Sequence, residues 1–288
     1  MKIKNIIRAS VILLIANVTI TTTVFSQQLK VPAPSSTQIL DQAFGLSNIK
    51  IEYSRPSMKG RVVFGDLVPY DKIWRTGANA STKITFGDTV SIEGKMLPAG
   101  TYAIYTIPGK NSWDILFNKD ITLAGNVADY KQATEVLRVT VKPMTIAEKI
   151  ETFTINIGDI TPNSGDIELM WENTIVLIKV TADIDGKIMK NIDATVATDS
   201  RPYYQAANYY YDNNKDMATA LKWANSAVES NPKGFFIFNL KAKIQKRMGD
   251  KKGAIESANR SIALAKEAKN DDYVRLNEKL IAEINSGK

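Results

Sequence analysis

The sequence contains no cysteine and no histidine among its 288 residues. Without histidine, the chain cannot build a Ser-His-Asp or Cys-His catalytic group, a histidine-ligated zinc site or a histidine-based pH switch. Without cysteine it has no disulfide, so burial of apolar side chains must supply its stability. The functions left to consider include ligand binding, protein docking and chemistry carried by carboxylates.

The N-terminal residues have the pattern of a secretory signal. Lys2, Lys4 and Arg8 precede an apolar stretch that becomes rich in threonine, and small residues stand just before Gln27. We therefore predict a signal peptide at residues 1–26 and export to the periplasm or the cell exterior. The alternative is an uncleaved membrane anchor, for which the apolar stretch is short, so we expect no stable membrane span in the mature chain.

The charge balance of the mature chain does not indicate nucleic-acid binding. The full chain has 37 basic and 30 acidic residues, and removal of the three cations of the predicted signal leaves 34 against 30, a net charge of +4. Nucleic-acid-binding proteins show basic clusters on one face, and none is evident here. We predict no nucleic-acid partner.

A period of two in hydrophobicity dominates residues 38–185, which we predict to be a β-sandwich domain after an extended lead-in at 27–37. Ile49, Ile51 and Tyr53 alternate with polar residues, as in a half-buried strand. Similar runs occupy residues 82–86, 101–107, 113–118, 136–141, 152–157, 166–171 and 174–182. These runs favour an antiparallel sandwich or flattened barrel.

Two local features are also predicted within this domain. One short helix is expected near residues 126–133. The last two runs are expected to form a hairpin through Glu172-Asn173, because Asn tolerates the positive φ of a tight turn.

The composition changes near Asp199 to helical spacing, so we predict a linker at 186–200 and a helical domain at 201–286. Ala220 and Ala224 recur 34 positions later as Ala254 and Ala258, a period typical of tetratricopeptide repeats. Helices are predicted near 202–213, 216–230, 234–248, 251–268 and 271–286. The fold class is therefore α+β by domains, with an antiparallel β domain followed by tetratricopeptide-like helical hairpins.

Residues 54–79 form the candidate functional surface, because prolines, glycines, cations and aromatics are mixed there in a way that indicates ordered irregular backbone. Arginine matches the geometry of carboxylates and phosphates, and aromatic rings can stack on a sugar, so an anionic ligand or a glycan is expected. The predicted ligand-binding residues are Arg55, Lys59, Arg61, Tyr70, Trp74, Arg75 and Asn79.

Two alternatives remain open for this segment. Its cations could pair with Glu52, Asp66, Asp71 and Glu93 and simply join the loop to the sheet, while aromatics such as Trp74 pack in the core. Two of the same carboxylates, or Asp114, could instead serve glycoside hydrolysis.

Neither a cofactor nor a metal is predicted. The sequence has no glycine-rich phosphate loop and no dinucleotide fingerprint. Residues 212–216 offer oxygen ligands but lack the glycine and the terminal glutamate of a calcium loop.

Residues 54–79, together with the later Pro98-Ala99-Gly100-Thr101-Tyr102 and Trp113, closely resemble the secreted bacterial proteins of domain-of-unknown-function family 2911. The resemblance covers residues 38–182 and implies a tetratricopeptide-like tail of the kind found in some relatives. Relatives often carry an acidic residue in place of Ala80 and a Trp-Gly pair in place of Ala124-Gly125. The resemblance supplies no catalytic residues to transfer. If the acidic group of the relatives serves chemistry, its replacement by Ala80 implies a version that only binds.

The sequence thus favours an exported, non-enzymatic binding or scaffold protein. Its β domain presents residues 54–79, and its helical repeats dock a protein or peptide partner. The repeats could equally brace the sandwich. The alternative function is a hydrolase of glycans or cell-envelope material.

Overall fold

The computed structural model describes residues 31–123, 127–196 and 202–287. The predicted signal peptide lies outside these residues. They contain ten β-strands followed by six α-helices, which confirms the predicted fold class of antiparallel sheets with a helical tail.

One sheet has six antiparallel strands in the order β1-β2-β3-β6-β7-β8. Its strands are β1 (Ser36–Phe44), β2 (Ser47–Arg55), β3 (Thr82–Phe86), β6 (Gly100–Pro108), β7 (Trp113–Asn118) and β8 (Glu135–Val141). The predicted lead-in at 27–37 thus already includes the start of β1.

The other sheet has four antiparallel strands in the order β5-β4-β10-β9. Its strands are β4 (Val90–Ile92), β5 (Lys95–Leu97), β9 (Pro143–Gly158) and β10 (Ser164–Thr181). Alternate residues of both sheets are buried and pack into one core, as in Ile49 and Ile51 of β2 and Val176 and Ile178 of β10. We call residues 31–196 the β module.

The hairpin predicted at Glu172-Asn173 is wrong. β10 runs through these residues as one strand, and its pairing with β9 shifts register between Met170 and Thr174. Glu172 has a φ of +56°, and the Asn173 amide donates to three carbonyls of β9, including that of Ile146 at 3.1 Å. Residues that suit a tight turn also suit a β-bulge, and here they form the bulge.

The helical region contains α1 (Asp185–Val196), α2 (Tyr203–Asp212), α3 (Met217–Ser230), α4 (Phe235–Arg247), α5 (Lys251–Glu267) and α6 (Asp271–Ser286). The last five lie within one residue or so of the predicted bounds, because side-chain caps such as Asp216 on the Thr219 amide start helices at positions visible in the sequence. We call residues 202–287 the helical module. The short helix predicted near 126–133 is replaced by two 3-10 turns, Val127–Asp129 and Gln132–Thr134.

Helix α1, the last element of the β module, occupies most of the predicted linker and contacts both the sheets and the helical module. Ile188 packs against the β core, whereas Met189 and Ile192 pack against the cluster formed by α2, α3 and α4. Lys187 forms an ion pair with Asp88 of the β module. None of the helices in the described ranges has the length and apolarity that a membrane crossing requires.

Candidate functional site

Residues 54–79 leave β2 and cross between the two sheets as ordered irregular backbone. Near the start of the segment, the Met58 amide donates to the Glu151 carbonyl at 2.9 Å, and Ser57 forms an isolated bridge with Thr152 of β9. Near its end, Trp74 forms a bridge with Thr106 of β6. The segment is therefore fixed to both sheets.

Two carboxylates of the four-stranded sheet hold the backbone of this segment. Glu151 accepts a hydrogen bond from the Lys59 amide at 2.8 Å, and Glu172 accepts one from the Val63 amide at 3.2 Å. Both acids lie about 90 to 110 residues further along the chain than their partners. Local sequence patterns gave no signal for these contacts.

A cavity of about 410 Å³ opens between this segment and the residues that precede β1. We call it the basic cavity, because three cations and, among the described residues, no acidic side chain line it. Its lining consists of Pro34, Ser35, Pro56, Ser57, Lys59, Arg61, Leu67, Val68, Trp74, Arg75, Gly77, Ala78 and Trp171. The bias is local, since the β module has 19 acidic and only 17 basic residues.

Arg61 is oriented by its own turn. Its guanidinium donates from Nε to the Met58 carbonyl and from Nη2 to the Ser57 carbonyl, both at 2.8 Å. These acceptors carry no net charge, so the positive charge of Arg61 is not neutralised by them. The remaining N–H groups of the guanidinium can donate to a ligand.

The expected internal ion pairs are not found for three of the cations. Arg55 donates to the Phe153 carbonyl at 3.1 Å and to the Thr154 hydroxyl at 2.7 Å. Within the described part of the chain, Arg55, Lys59 and Arg61 make no ion pair with an acidic residue.

Trp74 anchors the segment in the core and also lines the cavity. Its ring stacks on that of Trp171, with centroids 5.9 Å apart and planes inclined by 21°, and it meets Phe153 edge-on at 5.0 Å. Its indole N–H donates to the Gly77 carbonyl at 3.1 Å. Trp74 therefore gives the cavity a rigid apolar wall.

Gly77 lets the loop approach β2 closely. Its φ is +154°, and a Cβ added there would lie 3.0 Å from the Ser54 carbonyl oxygen. A larger residue would push the loop away from β2. Asn79 beside it donates to the Ser35 carbonyl at 3.3 Å and so holds the wall that precedes β1.

Comparison with known families identifies the β module. The family model described as a protein of unknown function (DUF2911) matches residues 35–180, just over half of the chain. The chain belongs to the DUF2911 family. No curated protein sequence and no solved structure matches the chain.

The DUF2911 match spans every residue that lines the basic cavity except Pro34. Of the residues predicted from the sequence, Lys59, Arg61, Trp74 and Arg75 line this cavity together. Arg55 and Asn79 support its walls through the bonds described above. Ser35, Leu67, Val68 and Trp171 were not predicted, because they come from the lead-in, the middle of the segment and a distant strand.

Tyr70 lies elsewhere. It lines a separate cavity of about 180 Å³ with Phe64, Trp113 and Lys110, and the Lys110 ammonium lies 5.8 Å from the centre of its ring. The predicted residues are therefore divided between two cavities that flank the same aromatic cluster.

The carboxylates considered for hydrolysis are used in other contacts or lie on the surface. Glu93 accepts a hydrogen bond from the Lys179 amide, and Asp114 pairs with Arg138 at 3.5 Å. Glu52, Asp66 and Asp71 are exposed and absent from the described lining of the basic cavity. No three acidic side chains in the described ranges are grouped as metal ligands would be.

Proposed function

We propose that this DUF2911 protein is an exported binding protein whose basic cavity takes an anionic organic ligand. One observation carries the proposal: Lys59, Arg61 and Arg75 line a cavity that has no acidic side chain among its described residues, in a module where acids outnumber bases. A volume of about 410 Å³ lies within the range of small-molecule sites. The N-terminal signal pattern supports a periplasmic or extracellular location.

The fixed position of Arg61 supports recognition of carboxylate or phosphate. Charge-assisted hydrogen bonds from arginine to these groups are stronger than neutral ones. Because two backbone carbonyls already orient the guanidinium, ligand binding has less side-chain entropy to remove.

The hydrolase alternative has weaker support. Glycoside hydrolysis requires two carboxylates facing one another across the bond to be cleaved. Among the described residues, the basic cavity has no carboxylate in its lining. Its chemistry therefore favours holding an anion over cleaving a glycosidic bond.

For the helical module we propose docking of a protein partner. Helices α2 to α5 pack as two hairpins, and α6 caps them. Stacked hairpins of this kind present surfaces to peptides or helices. The contacts of α1 with both the sheets and the helical module support the other possibility, that the helices brace the sheets.

The ligand proposal is tested by isothermal titration of the mature chain with benzoate, phenyl sulfate and phenyl phosphate, with benzyl alcohol as the neutral control. We expect at least one anion to bind and the alcohol not to bind. Arg75→Ala should weaken anion binding by about tenfold or more, because an N–H donor and a charge are lost together.

The matched control is Lys72→Ala, an exposed cation of the same segment that does not line the cavity. It should leave both binding and the melting temperature unchanged. A large drop in the melting temperature of Arg75→Ala would show that this arginine is structural. Failure of the wild-type chain to bind any of the anions would refute the proposal.

The partner proposal is tested by co-purification from the native envelope with the tagged mature chain. A chain ended after Asp199 serves as the control, because it lacks the helical module. A partner retained equally by both chains would contradict docking on the helices.

A further inference from the structure

We propose that the basic cavity selects a phosphomonoester carried on an apolar body over carboxylates and sulfates of single charge. This inference rests on the proposed function, in which the cavity binds an organic anion. It goes further in naming the charge of the ligand and the group that carries it.

The charge of the lining is the first argument. Lys59 makes no ion pair with any described residue, and Arg61 is held by two uncharged carbonyls. Arg75 adds a third basic side chain to the lining. A phosphomonoester carries a charge of about −1.5 to −2 at pH 7, so it offsets this excess better than a monovalent anion does. Each added unit of ligand charge strengthens the Coulomb attraction to the same cations.

The size and chemistry of the cavity supply the second argument. A water molecule, with one heavy atom, occupies roughly 30 Å³ in the liquid. An inorganic phosphate has only five heavy atoms, so it would leave most of a cavity of about 410 Å³ unfilled. Leu67, Val68, Trp74 and Trp171 provide apolar surface beside the cations. An ester with an apolar body would use both parts of the lining.

Because the chain has no histidine and no cysteine, the pH dependence of ligand affinity tests this inference directly. No side chain in the sequence has an ordinary pKa between 5 and 8. The second pKa of a phosphomonoester is about 6, so the ligand itself changes charge in this interval. The pH dependence of its affinity should therefore report ionisation of the ligand and not of the protein.

The test compares phenyl phosphate with phenyl sulfate and benzoate, which share an aromatic body and differ in charge. Dissociation constants are measured by isothermal titration at pH 5 and pH 7.5 and at constant ionic strength. At pH 7.5 phenyl phosphate should bind about tenfold more tightly than phenyl sulfate. At pH 5 the advantage should shrink to about threefold or less, while the affinity for phenyl sulfate stays constant.

The double variant Lys59→Gln/Arg61→Gln should remove the advantage of phenyl phosphate at pH 7.5, and Lys72→Gln should preserve it. Melting temperatures establish that the variants are folded. If the double variant does not fold, Lys59→Gln alone replaces it, because this change leaves the bonds of Arg61 intact. Inorganic phosphate tests the need for an apolar body and should bind at least tenfold more weakly than phenyl phosphate.

A second arm identifies the source of the ester by sedimentation with phosphatidylcholine vesicles, with and without phosphatidic acid. Selective binding to the vesicles that contain phosphatidic acid would show that the phosphomonoester is part of a lipid. Binding of phenyl phosphate without binding to these vesicles would show that it is part of a soluble molecule. Equal, pH-independent binding of all three aromatic anions would overturn this inference and leave the proposed function intact. Failure of all three to bind would overturn both.

Discussion

The two modules build their cores from different side chains over different distances along the chain. The β module packs large residues from distant strands, such as Phe153 and Trp171 against Tyr53 and Trp74. The helical module packs neighbouring helices through small residues such as Ala220 and Ala258, both fully buried. Small residues let helices approach closely, whereas large side chains and an irregular segment leave room for a cavity between sheets. The basic cavity lies beside this irregular segment, in the β module.

Buried polar groups also serve different purposes in the two modules. In the helical module, the Asn239 amide donates to Asn277 at 2.9 Å, and Asn277 donates to Ser261 at 2.9 Å, which ties three helices together. In the β module, the Thr76 hydroxyl donates to Thr106 at 3.2 Å and fixes an irregular loop to a strand. The first network joins regular elements, and the second holds a loop that borders the basic cavity.

The largest effect is expected from Trp171→Ala, which tests whether the β core is independent of the helices. The change removes the stack on Trp74 and the indole bond to the Glu151 carbonyl, and it should destabilise the β module by about 3 to 5 kcal/mol. The midpoint of urea unfolding followed by tryptophan fluorescence should fall. The midpoint followed by the circular dichroism of the helices at 222 nm should fall much less.

Trp223→Ala is the matched change in the helical module, where Trp223 packs on Tyr210 with centroids 4.7 Å apart. It should shift mainly the signal at 222 nm. If either variant moved both transitions equally, the two modules would unfold as one unit, and the contrast between their cores would have no energetic meaning.

A pair of truncations comes next and locates the boundary between the modules. The β core includes Ile184, which is 8% exposed, with Ile188 packed against it, and no described residue beyond Ile188. A chain ended after Asp199 should therefore remain soluble and folded. A chain ended after Asp183 loses both isoleucines and should be less stable by about 3 kcal/mol in urea unfolding. Aggregation of the longer fragment would show that the helices cover apolar surface of the sheets.

The difference between the modules also decides what the sequence predicts. Helix bounds follow from local signals, so the small and apolar residues at helical spacing predict α3 to within a residue, and the structure adds the cap of Asp216 on the Thr219 amide. Most strands followed from alternation. The bulge at Glu172 was mistaken for a turn, because both use positive φ and the choice between them depends on pairing with β9.

The candidate site was predicted only in its local part. Lys59, Arg61, Trp74 and Arg75 were found because they lie within one unusual segment. Trp171, Glu151 and Glu172 could not be linked to that segment, because contacts between residues about 100 positions apart leave no local pattern.

A moderate effect is expected from overpacking the small-residue contacts of the helical module. Ala258 of α5 has no exposed surface, so Ala258→Leu should cost about 1 to 3 kcal/mol through displaced helices. Ala263 of the same helix is exposed, and Ala263→Leu should change stability by less than about 0.5 kcal/mol. Urea unfolding at 222 nm measures both. Equal stabilities of the two variants would show that the helices are not closely packed at Ala258.

The smallest effect is expected from Tyr130→Phe, which tests a charged network at the edge of the β module. Arg138 donates to both oxygens of Glu135 at 2.8 and 2.9 Å and lowers the pKa of that carboxyl, and the Tyr130 hydroxyl donates to it at 2.6 Å. A lowered pKa in the folded state contributes stability above the ordinary pKa of glutamate, and this stability is lost as the pH falls through the folded value. Tyr130→Phe should therefore lower the free energy of unfolding in urea by about 1 kcal/mol at pH 7 and by less at pH 3.

Tyr102→Phe is the control for this prediction. Its hydroxyl donates to the neutral Pro98 carbonyl, so the loss of stability should be the same at both pH values. A cost of Tyr130→Phe that did not change with pH would mean that the hydrogen bond from Tyr130 is not stronger to the ionised form of Glu135.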